Sequence, residues 1–147
     1  MAENDLGDLI VDSIDLRSKY AVLRPKYDRL VSLVSLILKT AISHKNIKLH
    51  SMKQRVKNYN SFLEKVDRKK YKDPFAQCTD LAGSRLVCLF TSQIEEIKKI
   101  IEEEFDVIEV TNKKSTKKFD QFGYLSLHML VKVPKQRLKH IEYADLN

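Results

Sequence analysis

Three cations and a hydroxyl recur at short spacing in "RVKNYNSFLEK", residues 55–65: Arg55, Lys57, Ser61 and Lys65. A helix is predicted to begin at Asn60 or Ser61, because Ser61 and Glu64 have the S-x-x-E spacing of a capping box. A helix N-terminus carries about half a positive charge and N–H groups without intrahelical partners. Fixed cations beside it suit a polyphosphate; on charge alone, a solvated basic face is the competing reading. Asp80 stands in the turn-like stretch "DLAG" that leads to a strand predicted over residues 85–90. A carboxylate there can hold Mg²⁺, which takes one or two carboxylates plus phosphate oxygens. It can equally be an ordinary turn aspartate, or pair with Arg85. In "YLSLHMLVKV", residues 124–133, Tyr124, Ser126 and His128 share one face of a strand and Leu125, Leu127, Met129, Val131 and Val133 the other. The tyrosine can stack on a base and the histidine can meet a phosphate or hydroxyl; the alternative is a half-exposed sheet face. Lys113, Lys114, Lys117 and Lys118 form a run without an acid, either a second contact for an anion or a solvated loop.

The totals agree with anionic partners. The 147 residues carry 27 Lys and Arg against 20 Asp and Glu, a formal net charge of +7. That balance favours nucleotides, nucleic acid or an anionic membrane surface. Within residues 53–72 the eight cations face only Glu64 and Asp67. Hydrophobic residues make up 43% of the chain, enough for a folded core in one domain. Cys78 and Cys88 form no CxxC and have no neighbouring His cluster, so they read as reduced thiols in a cytosolic protein, without structural zinc or a disulfide. The acidic start "MAENDLGDLIVDS" lacks the basic region of a secretory signal. The longest apolar stretch, residues 30–42, is too short and too polar to span a membrane, so no membrane partner is expected. No Walker A sequence, GxGxxG, HExxH or Cys/His pair occurs, which argues against P-loop and dinucleotide enzymes, zincins and thiol proteases.

The elements that must position these residues follow from periodicity. Tyr27, Leu30, Val34, Ile37 and Ala41 step by three and four, with Leu33 and Leu38 widening the stripe. This predicts an amphipathic helix from Asp15 or Pro25 to Ser43, with Pro25 in its first turn or at a kink, and a separate helical piece over residues 5–14. After the helix at Ser61, Pro74 closes the basic region. "RLVCLF" reads as a buried strand. Ser92 and Glu95 have capping-box spacing, and Ile94, Ile97, Ile100 and Ile101 carry a helix to about Glu104. "FDVIEV", residues 105–110, reads as a strand and residues 112–122 as a loop. Helices followed by strand, helix, strand and strand give an α/β (α+β) domain, a small mixed sheet flanked by helices.

The segments "RVKNYNSFLEKVDRKKY", "DPFAQCTDLAGSRLVCLF", "FDVIEVTNK" and "FGYLSLHMLVKVP" together resemble the RelA/SpoT synthetase domain, whose members make ppGpp and pppGpp. The likeness covers residues 27–147. Three family elements, R-x-K-x-x-x-S-x-x-x-K, D-x-x-G/A-x-R and G-Y-x-S-x-H, occur here in the family's order. The resemblance implies a nucleotidyltransferase-like fold and one synthetase domain over 1–147, with a helical part in 1–48 and the nucleotide-binding sheet and helices in 49–147. It implies transfer of the β,γ-pyrophosphate of Mg-ATP to the 3′-hydroxyl of GTP or GDP, with Mg²⁺ as cofactor. By the family's motifs Arg55, Lys57, Ser61 and Lys65 would bind ATP, Arg85 would flank it, and Asp80 would hold Mg²⁺. Tyr124 would stack on guanine, and Ser126 and His128 would meet the acceptor nucleotide. The family's K-D-Y and P-K segment reads "NKKSTKKFDQFGY" here, so Lys113, Lys117 or Lys118 would stand for its lysine. The family's E-I-Q-x-R-T strand, which carries a second carboxylate, does not occur. The expectation is therefore a C-terminally incomplete synthetase domain with little turnover alone and a sheet edge that favours a homo-oligomer. A nucleotide- or RNA-binding fragment without activity, and a member that pyrophosphorylates the 3′ end of tRNA, are the alternative readings.

Overall fold

The computed structural model describes residues 3–114 and 125–146, with backbone alone for 3–13, 113, 114 and 125. A single helix, α1 (Glu3–His44), opens the chain and is followed by strand β1 (Leu49–Val56). Helices α2 (Tyr59–Lys69) and α3 (Pro74–Gln77), strand β2 (Ala82–Cys88), helix α4 (Ser92–Glu104) and strands β3 (Asp106–Lys114) and β4 (Leu125–Lys132) come next. Two 3-10 turns, Arg137–Lys139 and Ile141–Leu146, end the described chain. The class is mixed α/β, as the order of periodic segments requires. Among the described residues the strands form two two-stranded sheets, β1 with β2 and β3 with β4.

Two compact units share these elements. One comprises residues 1–32 and 54–83, the other 33–53 and 84–147. In the first, α1 and α2 pack through aromatic side chains. Phe62 is fully buried, stacked on Tyr20 at 5.8 Å and tilted against Phe75 at 5.1 Å. Cys78 and Leu81 complete this core, and Leu16, Tyr27, Val66 and Tyr71 pack around it. In the second unit Leu33, Ile37, Leu38 and Ile42 from α1, Ile97 and Ile100 from α4, Phe105, Val133 and Leu138 are buried. Ser35, buried among them, is within 3.4 Å of the Ser84 hydroxyl.

Several boundaries differ from those predicted. The two helical pieces at the start are one helix, with Pro25 inside it. Proline removes the bond to the carbonyl four residues back. Here Pro25 and Ala21 both lie on the exposed side, so water can satisfy that carbonyl while Tyr20 and Tyr27 hold the buried side. Helix α2 starts two residues before Ser61: Asn58 is its N-cap and Asn58 Oδ1 accepts the Ser61 N–H at 2.9 Å. The side chain of Ser92 is likewise no cap. Gln93 Oε1 instead turns back to accept the N–H groups of Leu89 and Phe90 at 2.9 and 3.1 Å. Strand β2 begins three residues earlier than expected and is not fully buried. Its side chains alternate between half-buried and exposed, and Leu89 and Phe90 beyond it are exposed. Strand β3 runs on through residues 112–114, where the sequence predicts loop.

Candidate nucleotide site

Lys57 and Lys65 converge on one carboxylate. Lys57 sits between the last residue of β1 and the N-cap of α2, whereas Lys65 lies in the second turn of α2. Asp80 lies just before β2. Lys65 Nζ donates to Asp80 Oδ1 at 2.7 Å and Lys57 Nζ approaches Asp80 Oδ2 at 3.1 Å. The Cys78 thiol also donates to Asp80 Oδ1, at 3.2 Å. Both lysine side chains are largely buried, at 13% and 18% exposure, while Asp80 keeps 42% open to solvent.

The electrostatics follow from that geometry. Burial alone would push the Asp80 carboxyl up, but hydrogen bonds from Lys65, Cys78 and Lys57 outweigh it and hold the group well below the usual carboxylate range. Burial would lower Lys65, yet the Asp80 carboxylate more than compensates and raises it. Burial first, and then the neighbouring Asp80, push the Cys78 thiol up, so it stays protonated and serves as a donor. Two ammonium groups against one carboxylate leave a net positive charge beside an open acid. This arrangement offers both an oxygen ligand for a cation and two donors for phosphate oxygens.

The other expected ATP residues are distributed differently. Arg55 is exposed on β1 and lines a cleft of about 350 Å³ in the first unit with Arg24, Asp28, Ser32 and Gln54. Ser61 is half-buried in the first turn of α2. The ion pairs of Asp80 are with the lysines; Arg85 is exposed on β2, in the second unit. A roomier cleft, about 620 Å³, lies in the second unit between α1, α4 and the 3-10 turns and includes none of the expected site residues.

On the β3–β4 ladder the antiparallel register sets His128 opposite Thr111 and Ser126 opposite Lys113. Alternate residues of a strand share a face, so two of the expected acceptor positions, Ser126 and His128, fall on one side of this ladder. His128 is exposed there and Ser126 half-buried. Tyr124 and Lys118 lie outside the described residues. Sequence reasoning missed Cys78 as a neighbour of Asp80. The signal was the spacing Cys78-Thr-Asp80, which lets the two side chains meet in a tight turn. Both cysteines are free thiols, and no helix among the described residues is long and apolar enough to cross a membrane.

Residues 54–143 match the family model described as a region found in RelA / SpoT proteins. GTP pyrophosphokinase YwaC of Bacillus subtilis (strain 168) is 26% identical over 138 residues, which cover 91% of this chain and 59% of that protein. The small alarmone synthetase 1 from Bacillus subtilis, solved bound to its product pppGpp, superposes with a TM-score of 0.58 at 25% identity, covering 80% of this chain and 64% of the other. The same enzyme bound to AMPCPP gives a TM-score of 0.53 at 22% identity over 78% of this chain and 69% of the other, a likeness of fold. The chain thus spans about three-fifths of the length of the curated relative, 59%.

Proposed function

The chain belongs to the RelA/SpoT family, and from that membership we propose that it is a (p)ppGpp synthetase. It would transfer the β,γ-pyrophosphate of ATP to the 3′-hydroxyl of GTP or GDP and release AMP. The observation that carries this reading is the Lys57–Asp80–Lys65 cluster, set within the family-matched residues. Similarity to a named GTP pyrophosphokinase and to a synthetase solved with pppGpp supports it.

The reaction implies Mg²⁺, and the residues fit it. Asp80 is ionised and 42% exposed, and Mg²⁺ is satisfied by one or two carboxylates when phosphate oxygens complete its shell. No group of three or more His, Cys, Asp or Glu that could hold a metal gathers among the described residues, so the remaining ligands would come from nucleotide and water. Asp80 would hold the ion, which when bound offsets polyphosphate charge and polarises the transferred group. The chain's own residues do the rest. Lys57 and Lys65 exchange the Asp80 carboxylate for phosphate oxygens of ATP. Arg55 and Ser61 complete the ATP contacts. Tyr124 stacks on guanine, while Ser126, His128 and the lysines at 113 and 118 meet the acceptor's phosphates. Such a transfer depends mainly on positioning and on neutralising charge. The free thiols fit a cytoplasmic setting.

The experiment incubates the protein with γ-labelled ATP, Mg²⁺ and, in turn, GTP, GDP or deacylated tRNA, and separates the products. Label on the guanosine nucleotide is the expected result. Label on tRNA assigns the acceptor differently, and binding of AMPCPP with no labelled product reduces the function to nucleotide binding.

A further inference from the structure

Lys57 is the one residue of the lysine pair that no secondary-structure element carries. It bridges β1 and α2, where a chain leaving a strand has freedom in both dihedrals. That freedom is removed from both sides. Its N–H donates to the Leu81 carbonyl at 2.7 Å, which ties it to the residue after Asp80. Its own carbonyl accepts the Tyr20 hydroxyl at 2.5 Å, across 37 residues of sequence. With both flanking peptides held, the Cα–Cβ direction of Lys57 is set, and its ammonium reaches Asp80.

The tyrosine is itself held. Its ring is 7% exposed, edge-on to Tyr59 at 5.3 Å and stacked on Phe62 at 5.8 Å. Its hydroxyl accepts Arg24 Nη1 at 3.0 Å, and Arg24 Nε in turn donates to the Asp28 carboxylate at 3.2–3.3 Å. A hydroxyl that accepts from a guanidinium is polarised toward stronger donation through its own proton. Packing alone would be served by phenylalanine. The hydroxyl is what connects helix α1 to the backbone of Lys57.

We infer that Tyr20, braced by Arg24, is a positioning residue for the nucleotide site: it fixes the Lys57 peptide and so aims the ammonium that receives the ATP polyphosphate. The inference rests on the proposed ATP-binding role of Lys57 and extends it to Tyr20 on helix α1, whose hydroxyl is spent on the Lys57 carbonyl and not on a nucleotide. A hydroxyl that merely satisfies itself in the core would affect stability alone.

The test compares wild type, Tyr20→Phe, Arg24→Gln, Lys57→Gln and the Tyr20→Phe/Lys57→Gln double variant of the 147-residue chain. AMPCPP and AMP affinities are measured by NMR titration with Mg²⁺, and unfolding midpoints are recorded beside them. Loss of one such hydrogen bond is expected to weaken AMPCPP about three- to tenfold. AMP, which lacks the polyphosphate, should be unchanged. Arg24→Gln keeps the ring and hydroxyl and should give a loss in the same direction of roughly twofold. In the Lys57→Gln background Tyr20→Phe should cost nothing more, because the cycle closes through Lys57. Equal weakening of AMPCPP and AMP, or an undiminished effect of Tyr20→Phe without Lys57, overturns the positioning role. If wild type binds no AMPCPP, the ATP-site reading falls and takes this inference with it; if wild type binds and Tyr20→Phe binds as well, the inference alone falls.

Discussion

Replacing Asp80 with asparagine keeps the side chain's shape and removes one charge, and under the proposed function its effect on ATP binding depends on the metal. The carboxylate holds two ammonium groups at 2.7 and 3.1 Å. A hydrogen bond to a charged group contributes ~1.5–3 kcal/mol when well shielded. Asp80 is 42% exposed, so solvent screens much of that, and the combined loss of stability should be about 1–2 kcal/mol. For a chain of this size the unfolding midpoint would fall by roughly 3–6 °C. Binding of metal-free triphosphate should move the other way. Without the carboxylate, two positive charges face the ligand in place of a net one. Mg²⁺-free AMPCPP should then bind more tightly by ~1 kcal/mol, about fivefold. With Mg²⁺ present the ion has lost its protein ligand, so the metal-dependent gain in affinity and the turnover should both disappear. Calorimetric titration of AMPCPP with EDTA and with excess Mg²⁺ reads both arms. If Asp80→Asn weakens AMPCPP to the same extent in both, Asp80 is a structural counter-ion and the metal assignment is wrong.

Three further outcomes follow from particular residues. The native Asp80 carboxyl lies below its unfolded value, so its contribution to stability is present above about pH 4 and is lost as pH falls toward the native value. The gap in unfolding midpoint between wild type and Asp80→Asn should therefore narrow below pH 4, and a gap independent of pH would show that the charge is not its source. Phe62→Ala, at a fully buried ring, should cost ~3–5 kcal/mol by denaturant titration; a loss under ~1 kcal/mol would mean that the aromatic cluster does not hold the first unit together. Tyr124→Ala should raise the KM for the guanosine substrate by an amount worth ~1–3 kcal/mol and leave that for ATP nearly unchanged, with Arg55→Ala doing the reverse; equal effects on both substrates would remove the guanine-stacking role.

How far the sequence disclosed this arrangement depended on whether the signal was local. Helix α4 was legible because Ile97 and Ile100, three apart, are both buried, and β4 because alternation put His128 outward and Leu127 and Met129 on the half-buried side. Strand β1 escaped notice. "LHSMKQRV" has one β-branched residue, no clean alternation and three consecutive exposed polar side chains, so its pairing with β2 comes from the partner strand rather than from its own pattern. The start of α2 differs from the sequence expectation because two capping sequences overlap. Ser61 offered the S-x-x-E pattern, but Asn58 reaches the Ser61 N–H first. Within the site, residue types were readable and pairings were not. Lys65 and Asp80 are 15 residues apart and meet only when α2 and the turn before β2 are packed together. The cations near the helix start read as a polyphosphate cradle together with its N–H groups; in the structure Lys57 and Lys65 meet the Asp80 carboxylate and Arg55 is exposed on β1.

The two lysines reach that carboxylate by unlike means, which makes their contributions separable. Lys65 stands on α2, three residues from Phe62 and one from Val66, so the aromatic core sets its position through the helix. Lys57 has no helix beneath it and depends on two backbone hydrogen bonds, to Leu81 and from Tyr20. Damage to the core should move Lys65 together with global stability. Loss of the Tyr20 hydroxyl should move Lys57 at a cost of about 1 kcal/mol in stability, well below that of losing a core ring, because the ring that fills the core remains. In the unliganded protein Asp80 holds both ammonium groups in place and offsets their mutual repulsion. A polyphosphate brings more negative charge than one carboxylate and can draw both donors to itself without shifting the backbone that aims them. In the proposed scheme Asp80 then keeps the Cys78 thiol on Oδ1 and has Oδ2 without a lysine, the condition under which a half-exposed carboxylate can take up a divalent cation.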